Sequence, residues 1–463
     1  MQSLLDDIAA LIGASNVLTG NDVAQRRVDW MSGASCRAAA IARPGNTDEL
    51  AEVMRMCHAV AQPVVTHGGL TGLVHGGEAQ PDELVVSLER MNAIEAVDPV
   101  GGTMTVQAGV PLQTVQEVAT DYDLQFALDL GARGSCTIGG NIATNAGGVR
   151  VIRYGMMRQQ VLGLEAVLAD GTVVSSMNRM LKNNAGYDLK QLFIGSEGTL
   201  GIVTRAVLRL QPRMLSERTA LVACPDFNGI TGLLRHMGRE LGGSLGTFEV
   251  MWRNHYALLT AESGRNTPPL PTHWPYYAIV ESLGSDDANN SAQFSAALES
   301  AFEAGLIEDA VLAQSAAQRQ SIWAIREDIE GLIEQLAPLF TFDVSLPIPD
   351  MPGYADTLVD SIRERWPDGR VAVFGHLGDG NLHVSVGVGS SDLATRREVE
   401  RIVYGPLSEL GGSVSAEHGI GLEKRDYLAL SRTPEEIALM RTLKHALDPK
   451  GLLNRHKILA EEG

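Results

Sequence analysis

The stretch GSCTIGGNIATNAGGVRVIRYG, residues 134–155, decides the fold. Six of its 22 residues are glycine, with Ser, Thr and Asn interleaved among them. Glycine appears where backbone must come close to something or adopt positive φ. Bare backbone also presents N–H groups that can nest an anion with no Lys or Arg. A second loop of this kind lies upstream, HGGLTGLVHGG at 67–77, directly after the apolar run Val64-Val65. A third lies downstream in NNAGYDLKQLFIGSEGTLGIVT, 183–204. One glycine pair is most often a turn, but three such loops with hydroxyl and amide side chains between the glycines form a cradle for a phosphate-bearing ligand. Neither the G-x-G-x-x-G fingerprint of a Rossmann site nor the G-x-x-x-x-G-K-[ST] of a P-loop occurs. The loops therefore belong to a different nucleotide-binding design.

Around these loops the chain reads as α+β. Residues 1–213 alternate short strands and helices. AIARPGNTDELAEVMRMCHAV is a strand, a Pro-Gly turn and a helix with Thr47 as its expected N-cap, and PLQTVQEVATDYDL is an amphipathic helix. Residues 214–408 form a second α+β region whose strands lie antiparallel, with a helix expected over 316–336, and 409–463 form a mostly helical C-terminal segment. Across all 463 residues the formal charge is −19, which disfavours nucleic acid as a partner. No apolar run reaches the ~18 residues of a membrane helix, and the start MQSLLDDIAALIG carries acids where a secretory signal carries bases. The four cysteines lack CxxC spacing and read as reduced thiols, so the expected location is cytoplasmic.

A second constellation stands far downstream. In VAVFGHLGDGNLHVSV two strands flank a Gly-Asp-Gly-Asn turn, with His376 ending one strand and His383 beginning the other. Two imidazoles across a hairpin neck can converge on one point. With the carboxylate of Glu417, from SAEHGIG, they make a three-ligand set that leaves positions open for a substrate. The alternative is that each histidine caps a turn by hydrogen bonding.

The three glycine motifs, in this order and spacing, resemble the FAD domain of the vanillyl-alcohol oxidase and p-cresol methylhydroxylase flavoproteins. Within that superfamily the chain is similar to the FAD-linked D-2-hydroxyacid dehydrogenases over about residues 35–457. The resemblance implies a PCMH-type FAD-binding domain of two α+β subdomains (1–213), an α+β substrate domain with an antiparallel sheet (214–408) and a C-terminal segment beside flavin and metal (409–463). It implies that FAD is lined by His67, Gly68, Gly69, Leu70, Thr71, Gly72, Ser135, Cys136, Thr137, Gly139, Gly140, Asn141, Thr144, Gly147, Gly148, Glu197, Gly198 and Ile202. Superfamily members that bind flavin covalently use a His of the first loop or a Cys of the second, the places of His67 and Cys136. In this branch FAD is held noncovalently. The resemblance further implies a divalent metal, zinc in many relatives, on His376, His383 and Glu417, with His418 as catalytic base, Asn381 as a substrate contact and Arg326 as a clamp on the substrate carboxylate. For Arg326 the alternative is a surface helix residue paired with Glu330.

The implied reaction is oxidation of a D-2-hydroxyacid to the 2-oxoacid, with hydride passing to the flavin and electrons leaving for an electron-transfer flavoprotein, a quinone or a similar acceptor. A homodimer is compatible with it. The other readings are a peroxide-producing 2-hydroxyacid oxidase, a metal-dependent hydrolase and a non-catalytic nucleotide-binding module. Two departures from the family pattern bear on substrate. Where D-2-hydroxyglutarate enzymes carry a Thr and a Lys near the distal carboxylate, this chain has Glu330 and Thr341, which favours a monocarboxylate such as D-lactate or a larger D-2-hydroxyacid. Arg455-His456 stand where relatives carry Pro-Gly.

Overall fold

The computed structural model describes residues 1–29 and 33–460. The chain divides into two units, one of Met1–Gly148, Tyr154–Arg213 and Glu417–Gly463, the other of Val149–Arg153 and Met214–Ala416.

The first unit opens with β1 (Val17–Thr19), β2 (Ala40–Ala42), β3 (Val64–His67) and β4 (Leu84–Ser87). They form a sheet in the order β1-β2-β4-β3, with β2, β4 and β3 mutually parallel and β1 antiparallel at the edge. The three parallel strands are short and almost wholly buried, as strands covered on both faces must be. The helix Thr47–Ala59 makes the crossover and buries Leu50, Val53, Met54 and Cys57. Each such apolar side chain removed from water contributes about 1.5–3 kcal/mol. Its cap is Asn46 and not Thr47: the Asn46 side chain accepts from the Glu49 N–H at 2.9 Å. The capping interaction spans three residues, and only Asn46 stands three before Glu49.

The chain continues through β5 (Ile94–Asp98), β6 (Thr103–Gln107), β7 (Leu124–Gln125), β8 (Val161–Val167), β9 (Val173–Ser176), β10 (Ile202–Arg209) and β11 (Gln211–Pro212). An antiparallel sheet in the order β5-β6-β10-β8-β9 results, and β7 pairs with β11 in a two-residue ladder. This is the α+β arrangement read from the sequence. The late return of the chain adds the helix Pro434–Leu447, opened by a Thr433/Glu436 capping box. Residues 452–454 then run beside β3: Val64 N–H donates to the Leu452 carbonyl and Asn454 N–H to the Val64 carbonyl, both at 2.8 Å.

The second unit is one antiparallel sheet. Its strands are β12 (Ser216–Cys224), β13 (Leu245–Trp252), β14 (Tyr276–Gly284), β15 (Asp309–Leu312), β16 (Leu339–Ser345), β17 (Arg370–His376) and β18 (Asn381–Gly387), in the order β15-β12-β14-β13-β17-β18-β16. The helices Ala316–Glu327 and Ile329–Leu336 send Ile322, Ile325, Leu332 and Leu336 into a core shared with Leu221, Met251, Tyr277 and Phe374. The sequence suggested one helix over 316–336. It breaks at Asp328, whose backbone leaves the helical region (φ −75°, ψ 68°) and whose carboxylate caps the next helix by accepting the Gly331 N–H at 2.9 Å.

The short excursion Val149–Arg153 is tied to this sheet by ions. Arg150 donates to Glu281 at 2.6 Å, Thr247 Oγ1 at 2.8 Å and Glu217 at 2.5 Å. Glu281 also accepts from Thr219 Oγ1 and Trp323 Nε1. Among the described residues no helix is long and apolar enough to cross a membrane.

Candidate active site

Within the first unit, the three glycine loops surround one cavity of about 400 Å³, a size in the range of cofactor sites. Every cofactor residue expected from the sequence lines it except His67 and Ser135. Both are displaced by the way the loops stack. His67 is the last residue of β3, and its ring turns away to close its own loop, Nε2 donating to the Gly77 carbonyl at 2.7 Å. Burial lowers its pKa to about 4, so it stays neutral. Ser135 is exposed, and its carbonyl oxygen lies where a Cβ on Gly69 would collide with it. Only glycine lets these two loops meet.

The cavity wall also holds polar atoms with nothing to bond. Thr66 Oγ1 and Thr137 Oγ1 are buried without a hydrogen-bond partner among the described residues, and both residues line the cavity. Buried hydroxyls without partners are uncommon and point to a ligand that supplies them. The Cys136 thiol is pushed up by burial and receives a contact from Asn141 Nδ2 at 3.6 Å. It is a protonated, poor nucleophile.

Two braces hold the loops. Glu197, at a positive φ of 51°, accepts the Ile420 and Gly421 N–H groups at 2.7 and 2.8 Å. Burial outweighs those bonds and raises its pKa. Asn454 accepts the Thr66 N–H at 2.9 Å and donates to the Glu197 carbonyl at 2.6 Å, so it pins the first loop to the third. Glu417 and His418 line the same cavity, and Glu417 accepts the Gly148 N–H at 2.9 Å. Thr66 and Asn454 were missed in the sequence because neither lies within a glycine motif. The departure at Arg455 does not reach this cavity; its guanidinium bonds Asp82 at 2.6 Å and Glu83 at 2.7 Å.

Within the second unit, strand register builds a polar corner. Residues paired across strands point to one face. Ser345, Asn381, His376 and Glu249 therefore form one row, and Asp343, His383, Phe374 and Met251 the next. The His376 and His383 rings lie 5.3 Å apart, edge to face. Behind them Glu249, 1% exposed, accepts from His376 Nδ1 at 2.6 Å and from Arg326 Nε at 3.0 Å. Arg326 Nη2 lies 2.9 Å from the same carboxylate and 3.4 Å from His376 Nε2, and its guanidinium covers the Phe374 ring at 4.6 Å. Burial would raise the Glu249 pKa, but His376 and Arg326 beside it outweigh burial and lower it. Asn381 is buried with neither its amide N nor its amide O bonded among the described residues. Two imidazoles on neighbouring strands, one backed by a carboxylate, are a donor arrangement that suits a borderline cation such as Zn²⁺.

The remaining expected residues separate. Arg326 is not paired with Glu330: the helix break at Asp328 removes the i,i+4 relation, and Arg326 turns inward to Glu249. Glu330 points out, 89% exposed, 3.7 Å from Arg265. Thr341 is exposed but lies on the Asp343 face of β16, opposite Ser385. Glu249 itself was missed. The one signal for it was an acid in the otherwise apolar and small run LGTFEVMW, every residue of which is buried.

Residues 38–176 match the model of a FAD binding domain, and residues 214–458 match that of the FAD linked oxidases, C-terminal domain. Together they define a flavin-dependent oxidoreductase. The chain is 41% identical to the D-2-hydroxyglutarate dehydrogenase of Xanthomonas citri pathovar viticola, over 93% of this chain and 91% of that protein. It is 38% identical to the mitochondrial D-2-hydroxyglutarate dehydrogenase of Arabidopsis thaliana, over 97% of this chain and 80% of that one. In fold it is similar to substrate-bound p-cresol methylhydroxylase, with a TM-score of 0.75 at 15% identity over 99% of this chain and 97% of the other. The chain belongs to the FAD-linked D-2-hydroxyacid dehydrogenase family.

Proposed function

We propose that this enzyme oxidises a D-2-hydroxyacid to the 2-oxoacid, with noncovalent FAD and a divalent metal, and passes the electrons to a protein or quinone acceptor. The observation that carries the reading is that Glu417 and His418 line the cavity built by the three glycine loops. An imidazole and a carboxylate in that wall support a base and a metal ligand beside the flavin.

FAD held in that cavity would supply a hydride acceptor. The neutral, hydrogen-bonded His67 and the protonated thiol of Cys136 support noncovalent binding. His376 and His383, joined by Glu417 on the strength of the sequence resemblance, would hold the metal, whose Lewis acidity lowers the pKa of the substrate hydroxyl. His418 takes the proton of that hydroxyl on an imidazole nitrogen, the role of a general base. Arg326 binds the substrate carboxylate through Nη1, since Glu249 already engages Nε and Nη2. The unbonded amide of Asn381 supplies a further hydrogen bond. Thr341 in place of a cation favours a substrate with one carboxylate. Glu330, turned to Arg265, carries no weight in that choice.

A panel of D- and L-2-hydroxyacids, including D-lactate and D-2-hydroxyglutarate, tests this under anaerobic conditions and with a dye acceptor, before and after chelation. The flavin should bleach with D-acids only, and dye reduction should be lost with the metal. Bleaching by L-acids, or by none, overturns the reading. Full turnover after exhaustive chelation removes the metal from it, and peroxide formation in air at the rate of dye reduction would make the enzyme an oxidase.

A further inference from the structure

We infer that Glu249 is a positioning residue for both arms of the site, because one buried carboxylate fixes the tautomer of His376 with one oxygen and the orientation of Arg326 with the other. The inference rests on the metal and substrate roles proposed above for His376 and Arg326. It adds a residue to which neither the sequence motifs nor the comparisons assign a part.

The geometry is specific. Oε1 of Glu249 lies 2.6 Å from His376 Nδ1, and Oε2 lies 3.0 Å from Arg326 Nε and 2.9 Å from Nη2. An ionised carboxylate only accepts hydrogen bonds, so the Nδ1 facing it carries the proton. Nε2 is then the nitrogen with the lone pair, the one that can be offered to a cation. That Nε2 is also the atom 3.4 Å from Arg326 Nη2, which places the ligand nitrogen beside the carboxylate clamp. A cation on His376 and the guanidinium would be two positive charges brought together in a buried corner, and Glu249 supplies the negative charge between them. The strand supports this role: β13 holds Glu249 opposite His376 in register, and the side chain is 1% exposed, so its rotamer is fixed by packing. Arg326 is in turn flattened on Phe374.

The isosteric change Glu249→Gln separates positioning from bulk. Its carbonyl can still accept from Arg326, but its NH₂ now faces His376 Nδ1. That nitrogen must become the acceptor, and the proton moves to Nε2. In metal-free enzyme labelled with ¹⁵N-histidine, with the His376 signal assigned by its loss in His376→Ala, the wild type should show an Nδ1–H tautomer and Glu249→Gln an Nε2–H tautomer. Co²⁺ affinity of the FAD-loaded enzyme should fall about 10–100-fold, and KM for the hydroxyacid should rise with flavin content unchanged. Glu249→Asp should recover part of the Co²⁺ affinity. An Nε2–H tautomer in the wild type overturns the inference even if no variant folds, and so does Glu249→Gln with unaltered tautomer and Co²⁺ affinity. Equal Co²⁺ binding by wild type and His376→Ala instead overturns the metal role of His376, and leaves the tautomer to decide what Glu249 does.

Discussion

Two carboxylates, one in each unit, are treated in opposite ways. The Glu197 carboxylate accepts the backbone N–H groups of Ile420 and Gly421, and burial raises its pKa. Glu249 meets an imidazole and a guanidinium, and its pKa falls. The same difference separates the two candidate sites. The first builds its cavity from glycine backbone, with His67 neutral and Cys136 protonated beside it. The second gathers full charges and balances them, as Glu249 does with Arg326 and Glu281 with Arg150. A neutral polar cradle suits a large cofactor that brings its own charge, and a balanced ionic corner suits a small anion that must be oriented.

The largest effect should come from unbalancing the second unit. Arg326→Met leaves Glu249 short of its cation, and unfolding free energy should drop by about 3–5 kcal/mol in chemical denaturation. A loss below about 1 kcal/mol would break the contrast. Next comes the buried, neutral His67 of the first unit. The folded pKa of His67, about 4, lies below its ordinary value near 6.5. Below pH 6.5 the unfolded chain therefore takes a proton that the folded chain refuses, and stability falls as pH drops from about 6.5 towards 4. Its share between pH 7 and pH 5 is about 2 kcal/mol. His67→Asn should flatten the measured pH dependence by that amount, and an unchanged slope would assign it to other groups. The smallest effect belongs outside both sites: Glu330→Gln should shift stability by no more than about 0.5 kcal/mol and leave the order of preferred hydroxyacids intact.

The sequence made the backbone-built site far easier to read than the charge-built one. Glycine loops are local, so residues 67–77, 134–148 and 195–201 announced themselves, and the cavity they form contains nearly all the residues named from them. The two exceptions arise from direction: a motif gives neighbours in sequence, but not that the His67 ring would bond Gly77 or that Ser135 would face outward. The ionic corner depends on partners 77 and 127 residues apart, Glu249 with Arg326 and with His376. No local pattern carries that. Even the short-range alternative for Arg326, a helical pair with Glu330, failed because one residue, Asp328, ends one helix and caps the next. The misplaced cap at Thr47 is the converse, a local rule applied one residue out of register; the Asn46–Glu49 spacing contained the answer.

One feature of the first unit reaches beyond its chemistry. Residues 452–454 run beside β3, and Asn454 ties Thr66 to Glu197 across 388 residues of chain. On the ribosome, the loops around Gly68 and Gly198 emerge long before the residue that clips them together. Cofactor capture thus belongs to the finished polypeptide, and a fragment cut at the seam after Arg213 would be a flavin domain without its clasp.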